Sequence, residues 1–261
     1  MVTIGGRAHN IDEINQVGKL GYPFAEINID SPEKIESLIP ELLQLKKRYG
    51  FYYLAHYPNE GNPADLENLR RVFVPKLKKL IEFSPILGIK KGTMHFWMDR
   101  RWASEEVISE KIKMLAELCE HAGKNQMVLC LENLTARQDS FRRYFEAVPQ
   151  LRMTMDIGHG QLLSKENTSF GFMEHLFEKI EHVHVHDNMG GTGVQDDLHL
   201  PLGDGIVDYP KIFTILNNKQ YNSTITMEVK PADMARTLKA IEQFFAVTFL
   251  PFSGFIKSQS S

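Results

Sequence analysis

Short runs of β-branched and aromatic residues alternate along this chain with longer stretches whose apolar positions recur at helical spacing, the arrangement that builds a parallel sheet covered by helices. The short runs are Val2–Gly5, Phe24–Ile29, Tyr52–His56, Lys91–His95, Met127–Glu132, Arg152–Asp156, His182–Asp187 and Thr224–Glu228. Between them the spacing predicts helices over 10–20, 33–49, 64–83, 104–122, 139–147, 170–179, 208–218 and 232–246. Eight successive βα units predict an α/β fold of the closed (β/α)8 TIM barrel type. A single domain would occupy 1–250, followed by a partly disordered tail at 251–261.

Local punctuation sharpens several boundaries. Ser31-Pro32-Glu33 and Ser104-Glu105-Glu106 read as helix starts with a capping hydroxyl and first-turn acids. Pro75 inside the third helical stretch predicts a kink or break. Met189–Gly205, rich in glycine and acids, is too long for a routine turn and is predicted to cover the active face and to move on binding.

Composition narrows the classes. At 261 residues the chain has room for a large core, and a net charge of −3 gives no general attraction for nucleic acid. The two cysteines, Cys119 and Cys130, fall in apolar settings and read as core thiols rather than a disulfide. With no long apolar run and no charged-then-apolar start in MVTIGGRAHN, the expectation is a cytoplasmic protein without a membrane partner. The phosphate-cradling glycine loop and the GxSxG elbow are missing from the sequence, which removes two common enzyme readings. His9, His121 and His175 read as surface or helix residues, and Lys76, Lys78 and Lys79 as a solvated helix face.

The chemistry concentrates at the strand ends. His56, His95, Glu132, Asp156, His184 and Glu228 each close one of the short runs, and a barrel brings all such ends to one rim. An acid ending an apolar strand is costly to bury unless it is paired or binds a cation. His159 follows Asp156 by three residues, with Gly158 and Gly160 relieving crowding. His182, His184 and His186 alternate at strand period and share a face, His182 deeper and His186 nearer the opening. Asp197 and His199, two apart, point the same way in extended backbone. Acids and imidazoles converging from separate strands predict metal-assisted chemistry.

From Glu132 to Glu228 these side chains fall in LENL at 131–134, DIGHG at 156–160, HVHDN at 184–188, DLHLPLGDG at 197–205 and MEVKP at 227–231, with His56 and His95 preceding them and His182 just ahead of the third. In their order and spacing the chain resembles the xylose isomerase-like TIM barrel superfamily, which holds sugar and sugar-phosphate isomerases and epimerases together with the endonuclease IV type of abasic-site nuclease, AP endonuclease family 2. The resemblance to the epimerase branch implies a divalent metal, zinc or manganese, on Glu132, Asp156, His184 and Glu228. It also implies proton transfer by Glu132 and Glu228 through a metal-stabilised enediolate of a sugar, sugar phosphate or related polyol. His159, His199 and His186 are then expected to contact substrate, although His199 stands where ketose epimerases carry an arginine. The resemblance to the endonuclease branch implies instead nine ligands for three zinc ions, His56, His95, Glu132, Asp156, His159, His184, Asp197, His199 and Glu228, and an abasic-DNA substrate. Against that, His56 is followed by Tyr57-Pro58-Asn59 rather than the Ala-Pro-Tyr of a DNA-probing loop. One to three ions per chain are expected, and the oligomeric state is left open.

Overall fold

The computed structural model describes residues 1–246, so the expected tail at 251–261 lies outside the described residues. Eight parallel strands close on themselves in sequence order, β1 (Thr3–Ala8), β2 (Phe24–Asn28), β3 (Tyr52–His56), β4 (Lys91–Met94), β5 (Val128–Glu132), β6 (Arg152–Asp156), β7 (Ile180–Val185) and β8 (Thr224–Met227). Register runs Thr3 to Thr224 between first and last strands, which completes the barrel. Eight covering helices follow, α1 (Ile11–Lys19), α2 (Pro32–Tyr49), α3 (Val74–Leu87), α4 (Glu105–Lys124), α5 (Gln138–Ala147), α6 (Ser169–His175), α7 (Tyr209–Asn218) and α8 (Pro231–Glu242).

The apolar faces explain the layering. In α4, Leu115, Leu118 and Cys119 fall on the buried stripe, and outward-facing strand residues such as Val183 and Val185 are fully buried beneath such helices. Ser31 and Ser104 cap their helices by accepting from Lys34 N and Val107 N, each cap worth about 1 kcal/mol. Gly5 lets β1 approach β2, since a Cβ there would sit 2.5 Å from the Phe24 ring and carbonyl.

Among the boundaries that differ from the sequence reading, two bear on how the chain enters its next element. The third helical stretch does not break at Pro75 but widens by a π-helical turn just before it. A three-residue helical turn at Leu66–Asn68 passes through a π-helical turn at Leu69–Phe73 directly into α3, with Val74 N donating to Leu69 O, so the widened turn ahead of Pro75 accommodates its missing N–H. β1 continues through Gly5 and Gly6 to Ala8, which carries Arg7 into the barrel.

Candidate metal centre

Glu132 ends β5 and is fully enclosed by side chains from other strand ends. Its Oε2 lies 2.9 Å from His95 Nε2 and 3.4 Å from His56 Nε2, and its Oε1 3.1 Å from His159 Nδ1 and 3.3 Å from His184 Nδ1. Burial alone would raise this carboxyl's pKa, but the adjacent His95 and His184 outweigh it and hold Glu132 well below the usual carboxylate range.

His184 also meets the other two acids, with Nδ1 3.4 Å from Glu228 Oε1 and 3.8 Å from Asp156 Oδ2. Although its burial favours the neutral ring, Glu228, Glu26 and Glu132 raise its pKa well above the ordinary histidine value. Glu228 faces Arg7, whose Nε is 3.1 Å from Oε1. Burial pushes Glu228 up, yet His184 and Arg7 prevail and bring it to about 2, so it stands as a carboxylate at neutral pH.

A third cluster lies beside this one. Asp197 Oδ2 is 3.2 Å from both His159 Nε2 and His199 Nε2. His199 is held in a left-handed backbone conformation, φ 48°, uncommon outside glycine, while its Nδ1 approaches Glu228 O at 2.9 Å. Against its burial, Asp197 and Glu228 raise its pKa to about 9.

Backbone details fix these positions. The Asn133 side chain accepts from Asp156 N at 2.8 Å and donates to Asp156 O at 2.9 Å, which locks the end of β6 to that of β5. Gly158 leaves room for His186, because a Cβ there would lie 2.1 Å from the imidazole. His186 is fully buried, stacked under His199 at 4.0 Å between centroids, with Nε2 3.1 Å from Asp156 Oδ1. It is not among the residues lining the two cavities described at the active face.

Two residues beneath and beside the cup escaped the sequence reading. Glu26, fully buried on β2, accepts from His184 Nε2 at 3.1 Å, from His182 Nε2 at 2.9 Å and from Thr226 Oγ1 at 2.5 Å. His182 is thereby structural: burial drives its pKa down to about 4, and its neutral Nδ1 accepts from Thr224 Oγ1 at 2.6 Å. Arg7 was missed because Gly5 reads as a strand end. Among the residues set aside, exposed His9 and half-buried Lys76 edge the cavity above Arg7, whereas His121 and His175 lie in α4 and α6. Cys119 and Cys130 are free and buried.

The donor set suits a divalent cation. One ligand atom from each of Glu132, Asp156, His184 and Glu228 lies within 4.8 Å of the others, and the same holds for His56, His95 and Glu132 and for His159, His186, Asp197 and His199. Asp156 Oδ2, His159 Nδ1 and Asp197 Oδ1 are buried without an aligned hydrogen bond, although other nitrogens and oxygens crowd them. Buried polar atoms left in that condition are expensive unless a further group joins them, and mixed imidazole and carboxylate donors suit a divalent cation.

The model of the xylose isomerase-like TIM barrel family matches residues 14–244, and the chain belongs to that family. An uncharacterized protein of Methanocaldococcus jannaschii, MJ1311, is 24% identical over 228 residues, covering 80% of this chain and 75% of the relative. Among solved structures, a D-tagatose 3-epimerase-like protein superposes with a TM-score of 0.74 at 23% identity, covering 93% of this chain and 96% of its own. The zinc-bound IOLI protein gives a TM-score of 0.78 at 14% identity, with coverage of 94% and 99%. A Methylomonas D-allulose 3-epimerase in complex with D-allulose gives 0.73 at 15%, with coverage of 93% and 98%. These likenesses bear on the fold. Among the described residues no helix is long and apolar enough to cross a membrane.

Proposed function

We propose that the protein is a divalent-metal-dependent isomerase or epimerase of a sugar, sugar phosphate or related polyol. The observation that carries this reading is the meeting of Glu132, Asp156, His184 and Glu228 within 4.8 Å at the C-terminal rim of the barrel. These four would hold zinc or manganese, which when bound supplies Lewis-acid polarisation of a carbonyl and its neighbouring hydroxyl. Glu228, kept ionised by His184 and Arg7, is suited to accept the proton of the carbon that bears that hydroxyl, next to the carbonyl. Glu132, itself ionised, has His159 Nδ1 3.1 Å from its Oε1, and that imidazole, held protonated by the surrounding acids, is suited to supply the proton that Glu132 returns. His159 and His199 line the opening, which supports a role for them in holding substrate hydroxyls. The epimerases among the structural neighbours agree with this class of reaction.

A specific observation favours a second reading. The further groups His56, His95, Glu132 and His159, Asp197, His199 could hold two more cations, the arrangement a zinc-dependent phosphodiesterase acting on abasic DNA would need.

The test is exchange in deuterium oxide with added manganese or zinc. A panel of ketoses and ketose phosphates, D-allulose, D-tagatose and L-ribulose among them, is followed by proton NMR. Loss of a proton signal beside the carbonyl, with formation of the epimer, is expected. No exchange across the panel, combined with cleavage of an abasic duplex, overturns the isomerase reading.

A further inference from the structure

The opening above the metal centre divides into two arms of opposite character. The polar arm, about 390 Å³, is walled by Arg7, His9, Asn28, Asp30 and Lys76, and Asn28 Oδ1 is buried there without a partner. The other arm, about 410 Å³, is walled by Pro63, Trp97, Leu134, Leu162, Leu163 and Val194. Both share His95, His159 and Asp197, so the arms join at the cup itself.

The second arm has polar residues in its wall, but their hydrogen bonding is turned inward. Trp97 Nε1 donates to Thr135 Oγ1 at 3.0 Å, and Thr135 in turn donates to Asp99 Oδ2 at 2.8 Å. Glu60 Oε1 accepts from Trp97 N at 2.6 Å and from Lys111 Nζ at 2.8 Å. Asn59 and Thr192 are exposed at the rim. A sugar hydroxyl entering this arm would lose water and find few free partners, whereas an apolar group would gain by leaving water.

The wall is also preset. Leu163 sits at φ 54°, a conformation that side chains beyond glycine, asparagine and aspartate seldom adopt. Its N–H donates to Gly191 O at 2.8 Å, so the loop after β6 is pinned to the loop after β7. Strain kept at the edge of a site is repaid where the held side chains have a use.

We infer that the substrate has two parts, a hydroxylated carbonyl head for the cup and polar arm, and an apolar substituent, of the size of an aromatic ring, for the arm beside Trp97, Leu134 and Leu162. This rests on the reading of the cup as a metal site. A simple free ketose fills only the first part. An aryl or alkyl glycoside, or another polyol bearing an apolar group, fills both.

Metal-binding hydroxamates separate the two claims. Zinc-loaded protein is titrated calorimetrically with acetohydroxamate and with phenylacetohydroxamate, which share a head and differ by the ring. The ring should tighten binding by about tenfold or more. Leu134→Asn and Leu162→Asn should abolish that gain, Leu162→Met should keep it, and binding of acetohydroxamate should be unchanged in all three. Equal affinity of the two ligands, or a gain that survives both asparagine variants, overturns the apolar arm while leaving the metal site intact. Failure of acetohydroxamate to bind overturns the metal site. The arm is then decided on metal-free protein with benzyl alcohol by saturation-transfer NMR: ring signals that vanish in Leu134→Asn support it, and signals absent in the wild type or unaltered by the substitution overturn it.

Discussion

His184 donates from Nε2 to the buried carboxylate of Glu26 at 3.1 Å, and this single bond decides which nitrogen of the ring looks into the cup. With the Nε2 proton committed to Glu26, Nδ1 is the nitrogen that faces Glu132, Glu228 and Asp156, where a cation would take the place of the proton those acids favour. Glu26→Gln should therefore weaken zinc binding by about tenfold and Glu26→Ala by up to about a hundredfold, the usual range for a carboxylate behind a ligating histidine. A competitive chelator titration measures this. Wild-type affinity in the alanine variant would show that Glu26 serves the barrel core alone.

Glu132→Gln removes the charge at which four imidazoles converge. Turnover should fall below detection and metal content after gentle purification should drop. Atomic absorption on the purified variant checks the second point independently of any substrate, and unchanged metal content with unchanged activity contradicts the assignment.

Lys111 has its Nζ wholly inside the protein, donating to Glu60 Oε1 at 2.8 Å and to Trp97 O at 2.6 Å. Lys111→Met keeps the aliphatic stem but leaves Glu60 as a buried, unpaired charge. The expected loss is about 3–5 kcal/mol of stability by urea unfolding, with much of it recovered in Lys111→Met/Glu60→Gln. A loss under about 1 kcal/mol would mean that water reaches the pair.

Burial lifts the thiols of Cys119 and Cys130 from an ordinary value near 9 to about 12. The folded state thus keeps protons that the unfolded state releases. The stabilisation is complete below about pH 9 and is lost as pH climbs towards 12, so unfolding free energy should decline across that window. In native protein at pH 8 neither thiol should react with a disulfide reagent, and both should react in urea. Rapid labelling of the folded chain contradicts this.

Much of the barrel is legible from alternation alone, since Tyr52–His56 and Arg152–Asp156 coincide with β3 and β6. Strand period also places His182 and His184 on one face, and in the structure both meet Glu26, while His186 follows just past the end of β7 against Asp156. The helix at 170–179 is less readable: it divides into α6 and a 3-10 turn at Phe177–Lys179, and apolar spacing alone does not locate that interruption. Glu26 hid because it sits inside the apolar run Phe24-Ala25-Glu26-Ile27 rather than at its end. An acid within a buried strand is itself a signal, because it must find partners, but the partners come from strands more than 150 positions away. The strand-end residues were easier, as a barrel's topology assigns them a common rim before any side chain is placed.

The proposed chemistry needs one cation held by Glu132, Asp156, His184 and Glu228, and anomalous diffraction from a crystal of the zinc-loaded protein is the most direct test for that ion. A peak at the zinc edge within about 2.0–2.2 Å of His184 Nδ1 and of oxygens from the three acids is the predicted result. Zinc confined to other histidines, or bound to His184 through Nε2 in place of Glu26, would contradict it.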